Sequence, residues 1–315
     1  VKLFITGSRG FIGGSVGRYA ARAGHTVMGT GRSVDGGADW PGDYLAAEPA
    51  AENLAKLISD FAPDVVLHAA GSASVGASLT EPLADLQAAA VTCANMFEGV
   101  RRSGMKPVVI IPSSASVYGN PHALPVQEDA PVAPISPYGF HKAICEMLGR
   151  EYAACFALNV IACRFFSVFG ERQRRLLVWE LYQQLAGPEP VVWLDGTGSE
   201  SRDFVHIDDA AEVMLQLAGR DEARSPQGSH LEVNIGSGIE TTVQQIAKQL
   251  RALVAPEKEI RSRGNARPGD PLRWQAEVAR LHSLLPEWQA SSLANGLAQC
   301  VAAWKREAES STHGS

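Results

Sequence analysis

At 315 residues, with 45% hydrophobic and 20% charged side chains, the chain is long enough for one large domain or two lobes and has the make-up of a soluble globular protein. A formal charge of −6 argues against nucleic acid or an anionic membrane surface as the main partner, and no apolar run approaches the ~20 residues that span a bilayer. Cys93, Cys145, Cys155, Cys163 and Cys300 are scattered and form no Cys-x-x-Cys pair, which argues against a disulfide framework or a metal site. With no secretory leader pattern in the opening VKLFIT, they point to a reducing cytoplasm.

Short β-branched runs then alternate with helical patterns. KLFIT (2–6) reads as a strand leading through a glycine loop into the helix-like SVGRYAARAG, with Gly24 as its stop. HTVMGT (25–30) is a second strand, ENLAKLISDF (52–61) an amphipathic helix and DVVLHAA (64–70) a buried strand. A helix over 82–103, a strand PVVIIPSS (107–114), a helix from Tyr138 to about Phe156 and a strand NVIACRFF (159–166) follow. The alternation predicts a parallel sheet with helices on both faces, and burial on both sides explains the unbroken VVLHAA and VVII runs. Beyond about residue 167 the pattern loosens into LLVWELYQQL (176–185), VVWL (191–194), a helix over 207–218, LEVNIGSG (231–238) and a helix over 242–253. The expectation is a first domain over 1–166 and a smaller lobe over 167–315, of which about 202–236 packs back on the first.

Gly7, Gly10 and Gly13 stand between a strand and a helix, with Phe11 and Ile12 among them. Glycines at that spacing let the backbone turn tightly and approach a pyrophosphate, which then rests on the helix N-terminus. A dinucleotide site that selects NAD carries an acid about 20 residues further on. Here the second strand ends in VMGTGRS, with Arg32 and Ser33 in place of an acid. Arg32 suits a 2′-phosphate through a charge-assisted fork, and Arg9 would approach the same phosphate from the other side, so NADP(H) is favoured over NAD(H). The alternative is that both are solvated surface arginines.

PSSASVYG (112–119) ends a strand in hydroxyls, and SPYGFHK (136–142) sets Tyr138 and Lys142 four apart on one face of a helix start. With the order of these motifs the sequence resembles the extended short-chain dehydrogenase/reductases, specifically the nucleotide-sugar epimerase/dehydratase family. TGSRGFIG, PDVVLHAAG, SSASVYG, SPYGFHK, RFFSVFG, GTGSESRDFVHIDD (196–209), VNIGSG (233–238) and RPGD (267–270) carry the resemblance over nearly the whole chain. It implies an α/β fold, a Rossmann-type doubly wound parallel sheet with a smaller C-terminal α/β substrate lobe. It further implies Tyr138 as acid/base, Lys142 as its electrostatic partner and a ribose ligand, and Ser114 as the hydroxyl that orients the reacting oxygen. Ala69, Ala70 and Gly71 would line the cofactor, and Asp43 in GDYL resembles the family's adenine-contacting acid. Ser116, Ser167, Arg202 and Arg267 would face a nucleotide-diphosphate sugar, with the two arginines on its diphosphate. A homodimer is the family's habit.

The departures are informative. Related 4,6-dehydratases carry an Asp-Glu pair where Ala115 and Ser116 stand, so elimination loses its proton carriers. Ser167 replaces an asparagine, and QAAAVTCANM (87–96) carries alanines where a polar cofactor contact is expected. His68 and His206 read as structural, and Asp208 and Asp209 as a helix start. Trp179, Tyr182 and Trp193 suit either a pocket or a core, and ERQRR (171–175) either a solvated loop or a second diphosphate clamp. Three activities compete: a nucleotide-sugar epimerase acting at C4, an NADPH-dependent keto-deoxysugar reductase, for which Arg32 speaks, and a non-catalytic NADP(H) sensor. The third predicts loss of Ser, Tyr or Lys from the centre, and all three residues are present.

Overall fold

The computed structural model describes residues 1–37, 39–264 and 272–312. Strand β1 (Lys2–Thr6) runs into helix α1 (Phe11–Arg22), followed by β2 (Thr26–Gly31), β3 (Asp43–Ala46), α2 (Ala51–Phe61) and β4 (Val65–His68). Helices α3 (Val75–Thr80) and α4 (Pro82–Leu86), a π-helical turn (Gln87–Val91) and α5 (Thr92–Ser103) lead to β5 (Val108–Ser114) and a 3-10 turn (Ala115–Tyr118). Helix α6 (Pro137–Phe156) and β6 (Asn159–Phe165) complete the first half. Then come β7 (Ser167–Phe169), α7 (Leu177–Ala186), β8 (Val191–Leu194), β9 (Ser201–His206), α8 (Ile207–Ala218) and β10 (Ser229–Ile235). The remainder is β11 (Glu240–Thr242), α9 (Val243–Val254), β12 (Glu259–Ser262), α10 (Ala279–Leu284) and α11 (Leu293–Thr312).

Seven strands form one sheet in the order β10-β6-β5-β4-β1-β2-β3, every pair of them parallel. This is a doubly wound Rossmann-like sheet. Strand periodicity divides its side chains between two cores. Leu3 and Ile5 of β1 pack with Val16 and Ala20 of α1 and Met214 and Leu217 of α8. Phe4, between them, joins Leu54 and Ile58 of α2 and Met96, Phe97 and Val100 of α5 on the opposite face. The strand order reverses between β1 and β4, so the carboxyl ends of those two strands flank the crevice where such sheets bind ligands.

A three-stranded sheet β11-β9-β7 and a parallel pair β12-β8 accompany a further core of Phe169, Leu181, Val192, Phe204, Ile246, Leu250, Leu297 and Trp304. From the stretch 202–236, β10 joins the large sheet beside β6 and α8 packs with α1, while β9 stays in the three-stranded sheet.

Two differences from the sequence reading bear on the site. The helix expected over 82–103 is divided by the π-helical turn, which brings the Ala88 carbonyl close to Gly71: a Cβ added there would lie 3.3 Å from that oxygen. Among the described residues no helix joins β2 to β3; residues 32–37 and 39–42 belong to a strap pinned by Trp40. Its indole covers Gly17, Gly29 and Gly36, where an added Cβ would come within 2.5, 2.6 and 2.9 Å of the ring atoms or their Cβ–Cγ stem.

Candidate active site

The glycine loop is shaped by lack of room. Gly7 has φ +69°, and a Cβ on it would stand 2.5 Å from the Ala70 nitrogen, against the chain leaving β4. A Cβ on Gly13 would meet the Gly7 carbonyl at the same 2.5 Å. Gly10 donates its N–H to the Gly7 carbonyl at 2.9 Å and caps α1 with no side chain. The first-turn amides of α1 therefore have no side-chain acceptor from the cap, which is the arrangement that receives an anion. Ala69 and Ala70 close the other wall, their N–H groups donating to the Thr6 carbonyl (3.1 Å) and hydroxyl (3.4 Å).

Beyond the loop lies a pocket of about 390 Å³ lined by Gly7, Arg9, Gly10, Gly31, Arg32, Ser33 and Tyr44. The Tyr44 hydroxyl donates to the Ser33 carbonyl at 2.9 Å. Burial raises the Tyr44 phenol, with Arg9 lowering it and Asp35 raising it. Among the described residues no acid pairs with Arg32, whereas Arg9 lies 3.2 Å from the Asp35 carboxylate. The two arginines, expected on either side of one phosphate, thus differ in their protein partners. Asp43 does not line the pocket. It is exposed at the start of β3, in register with Met28, three residues short of the Gly31–Ala46 edge where the crevice opens. The position beside it, Tyr44, lines the pocket instead. A strand of only four residues, mostly exposed, hid that register in the sequence.

The three catalytic candidates lie on α6 and at the end of β5. Ser136 caps α6, its hydroxyl accepting from Gly139 N–H at 3.2 Å, and Pro137 fills the first turn, where its missing N–H costs nothing. Tyr138 and Lys142 follow one turn apart. Lys142 Nζ donates to the Pro112 carbonyl of β5 at 2.8 Å and lies 5.6 Å from the centre of the Tyr138 ring. Burial works against its charge, but the Tyr138 phenol, the Cys145 and Cys93 thiols and Asp85 outweigh that, and its pKa is raised. Ser114, buried at the end of the same strand, accepts from Ser116 N–H at 3.2 Å, so its own proton is free for another acceptor. His68 is pushed down to about 3 by burial and by Lys142, so it is neutral at physiological pH. Its Nδ1 meets the Thr6 hydroxyl at 2.8 Å, while His68 Nε2 and Ser116 Oγ are buried with no protein partner.

Beneath these groups runs a buried polar network that the sequence reading missed. Arg164 of β6 forks onto Glu146 of α6 (Nε 3.0 Å, Nη2 2.8 Å) and donates to the Tyr118 hydroxyl at 2.9 Å and the Glu128 carbonyl at 2.7 Å. Glu146 also accepts from Ser113 at 2.5 Å, and Tyr118 donates to Asn234 of β10 at 2.7 Å. Burial opposes the Arg164 charge, yet Glu146 and Tyr118 hold its pKa above the ordinary value, and burial pushes Tyr118 up to about 12. The network fastens the residue before Ser114 to the helix turn after Lys142.

A model of the NAD dependent epimerase/dehydratase family matches residues 3–236. The chain belongs to this family. A UDP-glucose 4-epimerase of Mycolicibacterium smegmatis is 28% identical over 323 residues, spanning 98% of this chain and 100% of its own. A GDP-6-deoxy-D-mannose reductase of Pseudomonas aeruginosa is 26% identical over 313 residues, spanning 92% and 97%. The crystal structure of a UDP-glucose 4-epimerase of Thermotoga maritima with UDP-glucose superposes with a TM-score of 0.87 at 26% identity, covering 98% and 99% of the two chains. An epimerase/dehydratase family enzyme works with a nicotinamide dinucleotide, and the glycine cradle, with no space for side chains, fits that group.

The substrate side of this family member is only partly described. Ser167 begins β7, and Arg202 of β9 lies over the Trp274 ring at 5.4 Å, donating to the Ser201 carbonyl at 2.8 Å. Arg267 and its RPGD motif lie outside the described residues. In ERQRR, Arg172 pairs with Asp39 at 2.5 Å and Arg174 with Glu307, so these two are engaged on the protein itself. Trp179 and Tyr182 pack on Trp304 at 5.0 and 4.6 Å and belong to the core around it, whereas Trp193 is half-exposed. Asp209 accepts from Ser291 and Asp208 pairs with Arg22 at 3.2 Å, as a helix start that favours acids. Among the described residues no cluster of three or more His, Cys, Asp or Glu side chains is placed to hold a metal ion, and no described helix is long and apolar enough to cross a membrane.

Proposed function

We propose that this enzyme modifies a nucleotide-diphosphate sugar by hydride transfer at a sugar carbinol, as a 4-epimerase. One observation carries the reading: Tyr138 and Lys142 share the first turns of α6 against the end of β5, where Ser114 stands. The epimerase relatives support it across almost the full chain. The amides around Gly7, Gly10, Phe11, Ile12 and Gly13 would hold the dinucleotide's pyrophosphate, Ala69 to Gly71 its inner wall, and Tyr138 and Lys142 its ribose. When bound, the nicotinamide supplies the hydride acceptor and donor.

The chain's own residues handle the proton. A free tyrosine titrates near 10, too high for a base at neutral pH. The charged ammonium of Lys142 lies 5.6 Å from the ring centre, where it would stabilise the negative charge on the phenolic oxygen as the proton moves. Tyr138 then accepts the proton of the sugar hydroxyl and returns it when the carbonyl is reduced. Ser114 donates its free proton to the same oxygen and holds it in line. Arg202 and Arg267 would bind the diphosphate, and Ser116 and Ser167 the sugar. Elimination is disfavoured, since Ala115 and Ser116 offer no acid/base pair.

A second reading, an NADPH-dependent 4-keto-sugar reductase, is favoured by Arg32, whose guanidinium has no acid partner among the described residues while lining the pocket beyond the loop. The Pseudomonas relative supports it too. In either reading NADP(H) is preferred to NAD(H), through Arg32 and Ser33. A homodimer is supported by exposed apolar side chains on one side of the molecule: Leu83 of α4, Val91 of the π-helical turn, and Phe140, Ile144 and Met147 of α6. All five cysteines are free thiols, in keeping with a cytoplasmic setting.

The test is a panel of UDP-, GDP-, dTDP- and CDP-sugars, 4-keto sugars included, with nicotinamide absorbance followed throughout. An epimerase converts sugar with no net absorbance change; a reductase consumes NADPH stoichiometrically. No turnover with any sugar, while NADP(H) still binds, would overturn both readings in favour of a sensor.

A further inference from the structure

The pocket beyond the glycine loop is lined by two arginines, and an acid outside its lining, Asp35, is held against one of them. Arg9 Nη1 lies 3.2 Å from Asp35 Oδ1 and 3.5 Å from the Asp35 carbonyl. The same Oδ1 accepts from Gly37 N–H at 2.9 Å, within a turn that Gly37 makes possible at φ +90°. The strap carrying Asp35 is secured further along. Trp40 is wedged over Gly17, Gly29 and Gly36 and donates to the Asp43 carbonyl at 2.9 Å, and Asp39 pairs with Arg18 at 3.4 Å and Arg172 at 2.5 Å. Asp35 is therefore a fixed counter-charge for Arg9, while Arg32 across the pocket has none among the described residues.

We propose that Asp35 is a specificity-determining residue that withholds Arg9 from the 2′-phosphate, so that the pocket separates NADP(H) from NAD(H) through Arg32 and less sharply than two arginines would. The inference rests on the NADP(H) preference argued above. A 2′-phosphate carries a charge close to −2 and competes with Asp35 for the same guanidinium. Asp35 acts against it by occupying Arg9. A ligand with a free 2′-hydroxyl brings no charge to this end and leaves the pair intact. With side-chain exposures of 48% and 68%, the Arg9–Asp35 pair is solvent-screened, so the effect is modest.

Asp35→Asn in the full chain, titrated by calorimetry with adenosine 2′,5′-bisphosphate and with ADP, tests this without any need for turnover. The substitution is expected to tighten the bisphosphate by about two- to fivefold while changing ADP by less than about 1.5-fold. Adding Arg9→Ala to Asp35→Asn should abolish most of that gain, whereas Arg9→Ala alone should cost the wild-type chain little. Asp35→Ala serves as a second variant, and thermal unfolding of each verifies folding. Equal tightening of both ligands, or none, overturns the role of Asp35. If Arg32→Ala still weakens the bisphosphate selectively in that case, the NADP(H) reading survives. If wild-type protein binds the bisphosphate no better than ADP and Arg32→Ala weakens both alike, the NADP(H) reading falls and the Asp35 inference with it.

Discussion

Glu146→Gln probes the support under the proposed catalytic groups. The side chains of Arg164 and Glu146 are 1% and 3% exposed and joined by a two-pronged fork, so screening by water is negligible. Gln keeps the shape and one acceptor but leaves a buried guanidinium without its counter-charge. Losing one partner of such a pair costs about 3–5 kcal/mol. Arg164 retains the Tyr118 hydroxyl and the Glu128 carbonyl, which argues for the lower end, ~3 kcal/mol. In a chain of this size that lowers the melting temperature by roughly 5–10 °C. Urea unfolding of wild type and variant measures it directly. Replacing both partners by methionine should cost less than either single change, because no charge is then stranded. A loss below about 1 kcal/mol for Glu146→Gln, or a double variant worse than both singles, would refute the reasoning.

Tyr138→Phe should leave dinucleotide binding within a factor of about two while turnover falls by about 10²–10⁴, the range for a lost general acid/base; wild-type turnover would remove its assigned role. Arg32→Ala should weaken NADP(H) by about 1–3 kcal/mol more than NAD(H) in fluorescence titrations, since only the phosphorylated form loses a charge-assisted bond, and equal losses would remove the 2′-phosphate argument. Glu232 is held down to about 2, with burial opposing and His230 and Arg150 lowering it, so its folded pKa lies below its unfolded value. Its contribution is complete above about pH 5 and disappears as pH falls toward 2; Glu232→Gln should cost ~1–2 kcal/mol at pH 7 and much less at pH 3, measured by urea unfolding.

The parts of this fold legible in the sequence are those governed by local periodicity and burial. KLFIT, VVLH and VVII read as strands because parallel strands covered on both faces tolerate no polar alternation. Tyr138 and Lys142 could be paired because a helix repeats every 3.6 residues. The glycine cradle was legible for a similar reason, being a strand, a turn and a helix in immediate succession. What escaped depends on contacts distant in sequence or on weak local signals. Strand β3 is four residues at an exposed sheet edge, so its register, and with it the place of Tyr44 in the pocket lining, is set by pairing with β2. Arg9 and Asp35 are 26 residues apart and meet because Trp40 anchors the strap. The Arg164–Glu146–Tyr118–Asn234 network draws on β6, α6, the 3-10 turn and β10, elements whose neighbourhood follows from the sheet order alone.

Hydride transfer at the sugar carbinol is tested most directly by isotope. A UDP-hexose deuterated at C4 is incubated with the enzyme in ordinary water, and product is examined by NMR. The account predicts an inverted C4 centre that keeps its deuterium, with no net change in nicotinamide absorbance. A product whose C4 deuterium has been replaced by solvent hydrogen would contradict it.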